Sequence, residues 1–163
     1  MDMRAFIQWI EKEAGSWAGV VAVPHRFGGT EFRMGSAEIG HIHRDGTLDI
    51  PFPMSVRNQL LAEKLVRPHH YRPESGWITL YVHEDNVRQA LELLRLSYLR
   101  RVLREAVKSG GWGSPAVASF LSELHSVDIS SDLLHAVRES ARAAQDHGTK
   151  QATEAKAEEA VAR

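Results

Sequence analysis

Residues 37–52, Ala-Glu-Ile-Gly-His-Ile-His-Arg-Asp-Gly-Thr-Leu-Asp-Ile-Pro-Phe, constrain the fold more than any other stretch of this chain. Asp45-Gly46 can adopt the two positive φ angles of a type I′ turn, so the string reads as a β-hairpin with a two-residue loop. That register sets Arg44 opposite Thr47, His43 opposite Leu48 and His41 opposite Ile50. One face then carries Ile39, His41, His43, Leu48, Ile50 and Phe52; the other carries Glu38, Gly40, Ile42, Arg44, Thr47 and Asp49. Two imidazoles on the more apolar face need a hydrogen-bond partner or a ligand, because an unpaired buried polar group costs about 1–3 kcal/mol.

The flanking segments extend the same plan. Gly28-Gly29 suits a second two-residue hairpin, pairing Arg26 with Glu31, His25 with Phe32 and Val23 with Met34. Before it, Phe6, Ile7, Trp9 and Ile10 recur at helical spacing over residues 3–14. After the second hairpin, Ser55 can cap a helix from Val56 to about Leu65. Trp77 to His83 alternates as a fifth strand, and a long helix follows Asp85 to about Val107 with apolar residues on two sides. Gly110-Gly111 marks a boundary, beyond which Ser114-Pro115 and Ser130 or Ser131 open two further helices. The expected fold is α+β: an antiparallel sheet of about five strands, from two hairpins plus one strand, covered by helices and followed by a C-terminal helical pair. The expected organisation is an α+β domain over 1–108, a helical appendage over 109–145 and a polar, frayed or disordered tail over 146–163.

Composition narrows the function classes. The 163 residues are 43% hydrophobic and 25% charged, ordinary values for one globular domain. There is no cysteine, which excludes disulfides, thiolate metal sites and cysteine catalysis. The formal net charge of -1 gives no basic footprint, so nucleic acid is not an expected partner. The opening Met-Asp-Met-Arg-Ala-Phe lacks a basic leader and an apolar run, and no window is long enough for a membrane span; the expectation is a cytoplasmic protein with no membrane association.

Candidate chemistry concentrates near the sheet. His41 and His43, two apart on a strand, point the same way and can chelate one metal, with His69, His70 or His83 as a third ligand. Glu38 or Asp49 could add a carboxylate only if the register bends, so a structural or pocket-lining role for these histidines is preferred and a divalent metal on His41 and His43 is kept as the alternative. Arg44, Arg57, Arg67 and Arg72, with His69 and His70, can converge where the hairpin turn meets the loop before Trp77. Such a cluster suits a small anionic, partly aromatic molecule, since guanidinium grips carboxylate or phosphate in bidentate fashion. Ser75 precedes Gly76, but it leads into a strand and lacks the strand-turn-helix elbow of a serine nucleophile, so a tight turn is the expectation there.

The strings Glu38-Ile39-Gly40-His41-Ile42-His43, Asp49-Ile50-Pro51-Phe52-Pro53, Pro68-His69-His70, Pro73-Glu74-Ser75-Gly76-Trp77 and Leu94-Arg95-Leu96-Ser97-Tyr98 resemble a bacterial and fungal family of uncharacterised proteins labelled "luciferase domain". The resemblance implies a fold and no particular reaction. The Gly-Trp strand followed by a helix ending Leu-Ser-Tyr also resembles the small DNA-associated proteins of the MmcQ and YjbR type, which implies a compact antiparallel sheet backed by helices. The leading functional expectation is a small-molecule-binding module with His41, His43, His69, His70, Arg72 and Trp77 at the site. The alternatives are a metal-dependent, hydrolase-like enzyme and an interaction module that forms homo-oligomers through the C-terminal helices.

Overall fold

Six strands form one antiparallel sheet in the order β1-β2-β3-β4-β6-β5, with β1 at Val20–Pro24, β2 at Thr30–Met34, β3 at Ala37–Ile42, β4 at Thr47–Pro51, β5 at Arg67–Pro68 and β6 at Trp77–Tyr81. This computed structural model describes residues 2–143, so the tail expected at 146–163 lies outside the described residues. The α+β class and the plan of two hairpins plus a strand are as expected, with one strand more. The additional strand is β5, which pairs Arg67 with Thr79 and Pro68 with Ile78 at the sheet edge. Proline is tolerated on an edge because one side of that strand has no partner.

Both hairpins depart from the expected register, and for the same reason. In each, the chain closes a three-residue loop, a type I turn followed by a glycine in the left-handed region. Gly46 N–H donates to the His43 carbonyl and His43 N–H to the Thr47 carbonyl, with Gly46 at φ 85°. Gly28 N–H likewise donates to His25 and His25 N–H to Gly29, with Gly28 at φ 88°. The observed pairs are His41↔Asp49 and Ile42↔Leu48 in one hairpin, and Val23↔Glu31 and Ala22↔Phe32 in the other. A slip by an odd number of residues moves every side chain of a strand to the opposite face. Asp49 thereby joins His41, while Leu48 and Ile50 leave it.

A third device acts on β3. Phe32 pairs with Gly40 but Arg33 pairs with Glu38, which leaves Ile39 as the extra residue of a β-bulge. Glu38 and His41, three apart, therefore share a face. One face of the sheet is now largely apolar: Phe32, Ile42, Leu48, Ile50 and Ile78 are fully buried, each contributing about 1.5–3 kcal/mol. The other face carries Glu31, His41, Asp49 and Thr79.

The chain divides into two compact units, Met1–Tyr98 and Leu99–Arg163. In the first, α1 (Met3–Gly15) starts at Asp2, whose side chain accepts the Ala5 N–H, and buries Phe6, Ile10 and Ala14. Thr30 of β2 donates to Glu11 of this helix. The next helix, α2 (Met54–Ala62), begins after Pro53 rather than at the expected Ser55 cap and buries Val56 and Leu60. The long helix α3 (Val87–Gly110) buries Leu93 and Leu94 in this unit, and Tyr98 donates its hydroxyl to the Ala18 carbonyl.

In the second unit, α4 (Pro115–His125) is capped by Ser114 and starts on Pro115, as the sequence predicts. The fifth helix covers residues 131–143 and is capped by Ser130. Leu103 and Val107 of α3 pack with Val117 and Ala141, flanked by Phe120, Leu121 and Trp112. Apolar residues of both short helices thus pack against the end of α3 within this unit. Arg142 lies 4.6 Å over the Trp112 ring.

Candidate functional site

The polar face of the sheet and the loop before β6 enclose a cleft of about 970 Å³. Its floor is Asp49, fully buried on β4. The Thr79 hydroxyl, opposite it on β6, donates to Asp49 Oδ1. Oδ2 is faced by the Nε2 atoms of His41, His43 and His69 at 3.3, 3.5 and 3.7 Å, yet none of them is aligned as a hydrogen bond to it. His70 Nδ1 stands 3.9 Å from Oδ1 and 3.4 Å from the Thr79 hydroxyl.

Two carboxylates bracket His41. Its Nδ1 is 2.5 Å from Glu38 Oε1, a contact that exists because the bulge puts Glu38 on this face, and its Nε2 points toward Asp49. Burial alone would push the His41 pKa down; polar contact with Asp49 and Glu38 outweighs it and raises the group to about 9. Asp49 shows the converse balance. Burial would raise its pKa, but His41 and the Thr79 hydroxyl hold it below the usual carboxylate range. His25, brought to this face by the slip of the first hairpin, stacks on His41 with ring centroids 3.9 Å apart and planes 12° apart. Its own pKa is lowered by burial and by the neighbouring His41 charge.

His69 has a tautomer fixed by the backbone. Its Nδ1 accepts the N–H groups of Tyr71 at 3.1 Å and Arg72 at 3.2 Å, and an amide N–H cannot accept in return. The neutral ring therefore carries its proton on Nε2, the atom turned toward Asp49. Burial, partly offset by the Asp49 charge, keeps His69 below its ordinary pKa.

All six residues expected at the site, His41, His43, His69, His70, Arg72 and Trp77, line this one cleft. Arg44 lines it too, but the wider arginine convergence does not form. Arg57 donates to the Pro73 carbonyl and to Asn58, and Arg67 lies 5.9 Å over Tyr81. His83, 59% exposed in its side chain, sits 4.0 Å from Asp85 and is not a cleft residue. The Ser75 hydroxyl donates to the Arg72 carbonyl at 2.7 Å and accepts the Trp77 N–H, so it shapes the turn. The sequence reading missed His25, Arg26 and Phe27 and set Glu38 and Asp49 on the wrong face. Among the described residues, three sets offer ligand atoms within 4.8 Å of one another: His25, His41 and His43; Asp49, His69 and His70; and His25, Glu31 and Glu38.

The fold and site together define an antiparallel α+β domain with four imidazoles gathered around a buried carboxylate and a fifth stacked on one of them. Residues 36–97 match the family described as "Luciferase domain", the family that the sequence strings resemble. The matched segment includes Glu38, His41, His43, Asp49, His69, His70, Arg72 and Trp77, and leaves out His25, Arg26, Phe27 and the second unit. No curated protein and no solved structure matches the chain. Among the described residues no helix is long and apolar enough to cross a membrane.

Proposed function

We propose that this is a cytoplasmic binding protein for a small, partly aromatic anion, held in the cleft above Asp49. One observation carries the reading: the rim combines two exposed rings, Phe27 at 74% and Tyr71 at 84%, with the guanidinium groups of Arg26, Arg44 and Arg72. Large rings left in water beside cations cost solvation that a ligand recovers by stacking, and the arginines supply bidentate grips for carboxylate or phosphate. Arg26 already lies 4.9 Å over the Phe27 ring, so a bound ring at that position would meet both a π face and a cation. Trp77, 5.4 Å from His41 between ring centroids, forms the inner wall.

The expected result is stabilisation in a thermal-shift screen by members of a panel of aromatic carboxylates and nucleoside phosphates, measured on metal-free protein. A charge-assisted hydrogen bond is worth about 1.5–3 kcal/mol, so the double substitution Arg44→Ala/Arg72→Ala is expected to weaken binding by at least about 100-fold. A panel that leaves the melting temperature unmoved, or equal affinity in the double variant, refutes the proposal.

A further inference from the structure

We infer that His25, His41 and His43, with the Asp49 carboxylate facing the last two, form a binding site for one divalent transition-metal ion. Two buried atoms point to it. Asp49 Oδ2 and His25 Nδ1 are both buried without a hydrogen-bond partner, although three ring nitrogens face Asp49 Oδ2. What fails is alignment, and cation ligation asks for a different alignment. With metal–donor bonds of about 2.1 Å, neighbouring donors in a tetrahedral site stand about 3.4 Å apart. The Nε2 atoms of His41 and His43 stand 3.3 and 3.5 Å from Asp49 Oδ2. One ring nitrogen of His25 lies within 4.8 Å of one on each of these two histidines.

The surroundings fit the same assignment. Glu38 holds His41 Nδ1, which leaves Nε2 as the ligating atom and supplies the outer carboxylate that orients metal-bound imidazoles. His69 stays outside the set, because its backbone-fixed tautomer presents a proton rather than a lone pair. Its Nε2–H instead faces Asp49 at 3.7 Å and supports the carboxylate. His25 lies parallel to His41 and joins by turning its ring out of the stack. Imidazole-dominated donors select zinc, iron, cobalt, nickel or copper over calcium and magnesium.

The test is a titration with Co²⁺ alone, by calorimetry and visible d–d absorption, of full-length protein made without a histidine tag and stripped by chelator. One Co²⁺ per chain is expected. His43→Ala and Asp49→Asn should each lower affinity by more than about 100-fold, and Glu38→Gln by about 10–100-fold, the usual cost of losing an outer partner. His83→Ala, outside the cleft, should leave it unchanged. A folded wild-type chain that takes up no stoichiometric Co²⁺ overturns the inference, as does uptake that survives both His43→Ala and Asp49→Asn. If those two variants do not fold, Glu38→Gln, at a side chain 23% exposed, decides: unchanged Co²⁺ affinity overturns the assignment. The anion screen uses metal-free protein and this titration uses the ion alone, so each can fail without the other.

Discussion

Replacing Asp49 with alanine is expected to destabilise the metal-free protein by about 3–5 kcal/mol, the cost of removing one partner from a buried charged pair. The residue most affected is His41, which is 7% exposed and whose pKa of about 9 depends on Asp49 and Glu38 together. With Asp49 gone, the imidazole keeps one carboxylate and the Thr79 hydroxyl loses its acceptor. The Nε2 atoms of His43 and His69 would also face a void. Asp49→Asn keeps the side-chain volume and an acceptor for Thr79, so its loss is expected to be clearly smaller. Urea unfolding followed by circular dichroism, with chelator present, measures both. A loss under about 1 kcal/mol for Asp49→Ala would show that water replaces the carboxylate at no great cost, contrary to its complete burial.

The second large effect is expected at Gly40. Its φ of 151° lies in a region that L side chains rarely enter, and a Cβ there would stand 2.7 Å from Leu94 Cδ1 and 3.1 Å from the Asp49 carbonyl oxygen. The leucine methyl can swing away, but the strand carbonyl cannot. Backbone strain of about 1–3 kcal/mol and overpacking of similar size make Gly40→Ala costly by at least about 2 kcal/mol. The substitution should also disturb the bulge that delivers Glu38 to His41, so the histidine's proton affinity should fall alongside stability. Histidine titration by NMR, beside a denaturation curve, reads both. Wild-type stability with an unchanged His41 titration would mean that the bulge accommodates a side chain.

All the elements but the two-residue edge strand β5, and their order, are legible in the sequence because hydrophobic periodicity, Ser-Pro caps and glycine punctuation are local signals. The register is not local, and the site depends on it. Asp45-Gly46 and Gly28-Gly29 are each compatible with a two-residue turn, but Asp45-Gly46 also suits the last two positions of a longer loop and Gly28 the last position of one that Gly29 closes, and dipeptide preference alone favours the shorter. A test of whole faces favours the longer. In the two-residue register Ile42 shares a face with Arg44 and Asp49, while Leu48 and Ile50 share one with two histidines. In the observed register the three aliphatic residues lie together and the polar groups lie together. His25 was hidden by the same choice. The bulge left only Gly40 as its mark, and a glycine in a strand has several explanations. The histidines, Arg72 and Trp77 were recognisable from the density of such residues in short strings, which needs no register at all.

Surface loops ordinarily absorb insertions and deletions, since little depends on their length. The loops of this sheet follow that rule only between their closing pairs, His25 with Gly29 and His43 with Thr47. Deleting one residue between Arg26 and Gly28, or between Arg44 and Gly46, leaves a two-residue turn on the same closing pair, and every strand residue keeps its face. One residue added or lost between a closing pair and the cleft residues beyond it would instead turn the rest of that strand over, and the strand could then keep either its apolar contacts or its site residues. Length variation among sequences that keep this cleft should therefore be confined to the residues inside these two closing pairs, a pattern that any collection of such sequences can be asked to show.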